Sequence, residues 1–95
     1  MSKRDAYIEK MHAQIDGIDA KIDELSAKAR ESKADAKVDV QKKLDSLRDK
    51  RAELREQMGA LQQASEESWS DVKRGFERAW GELKSGVEDA ASRLR

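Results

Sequence analysis

Apolar side chains from Ile8 onward fall at Ile8, Met11, Ile15, Ile18, Ile22, Leu25 and Ala29, in steps that alternate between three and four residues. That alternation is a heptad repeat, which gathers the side chains into one seam along an α-helix. Ser2-Lys3-Arg4-Asp5 precedes the run with an N-cap signature, a hydroxyl followed three residues later by an acid. A second run falls at Val40, Leu44, Leu47, Arg51, Leu54, Met58 and Leu61, again in heptad steps. Between the runs the seam thins to Ala34, Ala36 and Val38 among Lys and Asp, and its phase slips. The offset from Ala29 to Val40 amounts to one heptad plus a four-residue stutter. Such a stutter unwinds a coiled coil locally without breaking its helix. With neither Gly nor Pro in the stretch, the pattern favours one continuous helix through residues 29–40. The competing expectation is a turn near Arg30–Lys33, with Ser32-Lys33-Ala34-Asp35 capping a new helix.

The best candidate for a joint is Met58–Ser68, which combines Gly59, a loss of large apolar residues, and Ser65 and Ser68 as N-cap candidates. Beyond it the period changes. Trp69-Ser-Asp-Val-Lys-Arg-Gly-Phe-Glu-Arg-Ala79 aligns with Trp80-Gly-Glu-Leu-Lys-Ser-Gly-Val-Glu-Asp-Ala90, and Ala91-Ser-Arg-Leu94 opens a third copy. Each unit of this repeat is about three helical turns long, so it presents the same face as the last. The resulting stripe is Val72, Phe76, Ala79, Leu83, Val87, Ala90 and Leu94. Trp69 and Trp80 border it on one side, with Lys73 and Lys84 beyond them, and Gly75 and Gly86 border the other.

Composition narrows the fold. Ala, Glu, Lys, Leu and Arg make up about half of the 95 residues, as in long helices. Leu, Ile, Val and Phe are only about 17%, too few for a conventional core. The charges balance at 20 Lys+Arg and 20 Asp+Glu and are mixed along the chain, so no clustered basic footprint points to nucleic acid. The first residues carry only a short apolar run, Ala6-Tyr7-Ile8, and no run approaches a membrane span, so an unexported, cytoplasmic protein is expected. The absence of Cys removes disulfides and thiolate chemistry.

Candidate chemistry is sparse. His12 is the one histidine and has no second His or Cys within reach in sequence. Asp16, Asp19, Asp23 and Glu24 cluster but sit in a heptad rather than a calcium loop, and read as a solvated face. No phosphate-binding Gly loop, nucleophile elbow or zinc pattern occurs. The expectation is therefore no enzyme, no cofactor, no metal and no small-molecule substrate. Pairs such as Glu24–Lys28 and Asp39–Lys43 add only tenths of a kcal/mol each, and Glu31–Asp35 and Arg51–Arg55 oppose them. Helicity must come from packing the seams. Arg51 at a seam position either fixes register or lets its charge snorkel out.

Two readings suit the last segment. Its stripe packs on the heptad segment or on a second copy, with Gly75 and Gly86 allowing close approach. Alternatively it lies on a lipid surface, Trp at the interface and Lys reaching for anionic head groups, although its mixed charge is a weak match for that role.

The stretches Asp5-Ala-Tyr-Ile-Glu-Lys-Met, Ala34-Asp-Ala-Lys-Val-Asp-Val, Leu47-Arg-Asp-Lys-Arg-Ala-Glu-Leu and Ser68-Trp-Ser-Asp-Val-Lys-Arg-Gly-Phe-Glu-Arg-Ala-Trp resemble small bacterial coiled-coil proteins, including a cyanobacterial stress-response group. The resemblance implies a non-enzymatic, stress-linked role and supplies no catalytic residues. A further likeness to apolipoproteins and other 11-residue-repeat helices rests on period alone.

The expected fold is all-α. A heptad coiled-coil segment, one long helix or a helical hairpin, covers 1–62 with the stutter near 29–40. A linker covers 63–67, and an amphipathic helix covers 68–95. The alternative is a three-helix antiparallel bundle with turns near 31 and 65. The long-helix form requires a homo-oligomer, whereas the bundle permits a monomer. The expected function is a structural or protein-interaction module that self-associates or binds a protein. The alternative is a peripheral membrane binder. Its expected interaction face is Trp69, Val72, Phe76, Trp80, Leu83, Val87 and Leu94.

Overall fold

A computed structural model describes residues 2–31 and 34–94, with the side chains of 34–36 left aside. Within those residues the chain forms three helices, α1 (Lys3–Arg30), α2 (Ala34–Gln63) and α3 (Trp69–Arg93). The continuous helix favoured across 29–40 is not formed. α1 ends at Arg30 with Glu31 as its cap, whose N–H donates to the Lys28 carbonyl at 3.1 Å. The turn expected near Arg30–Lys33 and its Ser32 cap fall on residues 32 and 33, outside the described ones.

Contacts far apart in sequence show the chain reversing twice. Arg4 of α1 reaches the end of α2 at Leu61 and Gln62, and Lys43 near the start of α2 pairs with Asp89 near the end of α3 at 3.2 Å. α2 therefore runs antiparallel to both neighbours, and α1 and α3 run parallel. This is the three-helix bundle, 50 × 21 × 17 Å, and its long axis suits a 30-residue helix at about 1.5 Å per residue. The physical reason is that folding back lets one chain bury both seams, which a single straight helix leaves in water.

The seams form one core. Met11, Ile15, Ile22, Leu25 and Ala29 of α1, and Val40, Leu44, Leu47, Leu54, Met58 and Leu61 of α2, are buried together with Phe76, Leu83, Val87 and Ala90 of α3. Ile8 and Ile18 are half-buried against them. Each fully buried large side chain contributes about 1.5–3 kcal/mol, so a thin stripe suffices when three stripes meet.

The caps differ. Ser2 Oγ accepts from the Asp5 N–H at 3.1 Å, as its sequence suggests. Ser68 stands at the start of α3 with helical backbone angles (φ −93°, ψ −10°) and makes no capping bond to that helix. Its hydroxyl instead faces Ser65 Oγ at 2.9 Å, because the chain is already turning helically there. The Trp69 N–H donates to the Ser65 carbonyl at 2.9 Å, so that residues 66–68 form a turn between Ala64–Ser65 and the start of α3.

Candidate interaction surface at the α1/α3 edge

The two margins of α3 face different helices. On the Gly margin Gly86 lies against Leu47 of α2, close enough that a methyl group there would collide with the leucine. Gly75, on the same margin, has open space around its Cβ position, so the close approach expected of both glycines occurs at one. The Trp margin faces α1. Tyr7 meets Trp69 edge-on at 6.0 Å and Phe76 at 6.4 Å between ring centroids.

Cations cover these rings. The Arg4 guanidinium lies 4.6 Å from the centre of the Trp69 ring, and Lys73 Nζ lies 4.6 Å from the centre of the Tyr7 ring. Each such contact contributes about 0.5–1 kcal/mol near a surface. Burial, and after it the Glu77 carboxylate, push the Tyr7 phenol up to about 12. Glu77 in turn pairs with Lys73 at 3.9 Å.

A three-turn step repeats on both sides of this edge. Tyr7 and Ile18 stand one such step apart on α1, as Trp69 and Trp80 do on α3. On parallel helices, Ile18 therefore stands toward Trp80 as Tyr7 stands toward Trp69. At the first step the rings close on each other; Tyr7, Trp69, Ile18 and Trp80 are all half-exposed. Lys84, one turn beyond Trp80, is exposed. Packing of α3 on α1 is sparser than on α2.

Of the expected interaction face, Phe76, Leu83 and Val87 lie in the core of this chain, while Trp69, Val72, Trp80 and Leu94 are half-buried around it. Tyr7 and Arg4 are not among the residues that the pattern singles out. The three-turn spacing of Tyr7 and Ile18 matches that of the tryptophans, but it names a partner only once α1 and α3 are known to run side by side, and no spacing marks Arg4.

The remaining polar candidates have structural neighbours. Asp19 lies between Arg51, at 3.3 Å, and Arg55, and Asp16 lies 3.7 Å from Arg55. Arg51 thus leaves the seam to join α2 to α1. Arg48 donates to the buried Ser26 hydroxyl. Glu24 pairs with Lys21 at 3.5 Å and Lys28 at 3.4 Å, whose charges hold its carboxyl below the usual range. His12 Nε2 sits 3.3 Å from Gln62 Nε2 at the surface. An open groove of about 680 Å³ between α2 and α3 carries both signs of charge, among them Lys43, Lys50, Arg78, Glu82 and Asp89. Within it a hydrogen bond from Lys43 and the charge of Arg93 hold the Asp89 carboxyl low.

No family model matches the chain, and neither the curated proteins nor the solved structures give a match. Among the described residues no helix is long and apolar enough to cross a membrane.

Proposed function

We propose that the chain is a non-enzymatic helical module that binds a protein partner through the α1/α3 edge. The observation that supports this reading is the second three-turn step, where Ile18 and Trp80 stand half-exposed on facing margins beside the exposed Lys84. Half-exposed aromatics beside cations are the side chains that anchor protein contacts. A helix with an apolar stripe and an acidic flank is the occupant that suits them. The resemblance to bacterial stress-linked coiled-coil proteins fits such a role in the cytoplasm. The lipid-surface reading has a harder requirement: Phe76, Leu83 and Val87 would have to leave the core before they reached acyl chains.

The test is titration of the full chain with two designed helical peptides that share an apolar stripe and carry either acidic or basic flanks. Saturable blue-shifted tryptophan emission is expected with the acidic peptide. Binding, measured for the variants by calorimetry because Trp80→Glu removes a fluorophore, is lost in Trp80→Glu and Ile18→Lys, with far-UV circular dichroism reporting that the bundle persists. No saturable response, or equal binding by both variants, removes this reading. A blue shift that occurs only with anionic vesicles replaces it with the lipid one.

A further inference from the structure

The joint between α2 and α3 is unusual in how little separates it from a helix. Among the described residues no non-glycine residue and no glycine has positive φ, so no left-handed residue enforces this turn. Ser68 has helical angles, Trp69 already donates to Ser65 in helical register, and the Val72 N–H donates to the Ser68 carbonyl at 3.0 Å. Residues 64–68 are all that separates the two helices, and the last of them already has helical angles.

What holds the chain bent comes from α1. In an uninterrupted helix the Leu61 and Gln62 carbonyls accept from the N–H groups of Ser65 and Glu66. Here the Arg4 guanidinium donates to both carbonyls, at 3.1 and 3.0 Å, while it lies over the Trp69 ring. The last turn of α2 has no basic residue of its own, so Arg4 also supplies the positive charge that a helix C-terminus favours. One side chain thus caps α2 and grips the first residue of α3.

The stripes also agree in phase. Leu61 and Val72 are separated by the same three-turn step, so a straightened α2–α3 helix carries the two seams on one face. Spanning 34–93, that helix is about 90 Å long at 1.5 Å per residue, against 50 Å for the closed bundle. Two such helices lying antiparallel place α3 of each on the α1–α2 hairpin of the other. There the Leu47–Gly86 contact and the Lys43–Asp89 pair are rebuilt between chains.

We infer that Arg4 is the latch of a hinge at Ala64–Ser65, and that its release straightens α2 and α3 so that a second copy of the chain receives α3 in a reciprocally exchanged dimer. The occupant of each vacated hairpin is α3 of the partner, the element already shaped and charged to fill it.

Sedimentation equilibrium of the full 10.8 kDa chain tests this. Arg4→Ala removes the latch. Ser65→Ala keeps Arg4 but removes the hydroxyl that accepts from the Ser68 N–H at 3.2 Å, and it favours helix through the hinge. Arg4→Ala is expected to strengthen dimerisation about tenfold or more, the scale of losing hydrogen bonds made by a charged group, and Ser65→Ala about fivefold, the scale of a neutral one. Adding Ser65→Pro to Arg4→Ala restores the monomer, because proline inside a continuous helix loses a donor and clashes with the Leu61 carbonyl. Exchange is distinguished from simple association by Lys43→Cys with Asp89→Cys. Joined by a short bis-maleimide, which spans the length of a lysine–aspartate pair where a disulfide would not, the Arg4→Ala dimer becomes covalently linked, and the chain with native Arg4 closes on itself. If Arg4→Ala unfolds, Ser65→Ala carries the test. Monomeric mass for Ser65→Ala, or a dimer whose introduced thiols close only within chains, overturns the inference.

Discussion

The hairpin of α1 and α2 is fastened along its length by polar contacts, with Asp19 held between Arg51 and Arg55, Ser26 bonded to Arg48, and Arg4 on the carbonyls of Leu61 and Gln62. α3 is seated on that hairpin by an apolar stripe, one glycine against a leucine, and the Lys43–Asp89 pair. Charges that interlock at fixed intervals specify register, because a slip of one turn separates every pair at once. An apolar stripe gives most of the binding energy and tolerates sliding. The hairpin is thus the specified part of the fold, and α3 the part whose attachment depends on shape.

The strongest way to break this contrast is Phe76→Ala. Phe76 is fully buried and touches Tyr7, so truncation is expected to cost about 3–5 kcal/mol. Hydrogen exchange should accelerate in α3 more than in α1 or α2. Equal acceleration in all three helices shows that the stripe and the hairpin form one cooperative unit.

Glycine positions sharpen the same contrast at smaller scale. Gly81→Ala enters open space and is expected to raise stability by up to about 1 kcal/mol through helix propensity. Gly86→Ala gains the same propensity but displaces Leu47, and should fall below Gly81→Ala by about 1–3 kcal/mol. Denaturant midpoints of the two variants check this. Equal midpoints remove the shape-dependent seat of α3.

The smallest effect is expected from Asp19→Ala, about 1 kcal/mol, because the arginines on either side remain partly solvated. The loss should shrink in concentrated salt, where at about 1 M the screening length is about 3 Å. A salt-independent loss implies that Asp19 acts through packing rather than charge.

Much of this architecture is legible in the pattern. The heptad positions from Met11 to Leu61 name most of the buried residues of α1 and α2, and the stripe of the C-terminal repeat includes all four buried ones of α3. Chain direction is not legible across 29–40. The slip in heptad phase there suits a stutter in a continuous helix and a turn between two helices equally, so periodicity reports which face is buried but not against what. Tyr7 and Arg4 escape the pattern for that reason: their contacts with Trp69 and with Leu61 exist only because the chain reverses twice. Ser68 is ambiguous in sequence, since a serine before a helix suits a cap and suits a helical turn equally well. Arg51 has two readings in sequence, register and snorkelling; its guanidinium leaves the seam and there meets Asp19.

The shared three-turn step on α1 and α3 makes the bundle a ruler graduated in whole repeat units. Lengthening all three helices by one unit would move every stripe on by about 16.5 Å and bring it back to nearly the same heading, adding a new step to the α1/α3 edge. A unit one residue shorter would turn each stripe about 80° away from its partners. Growth of this fold is therefore quantised in lengths that restore the heading, about seven or eleven residues at a time.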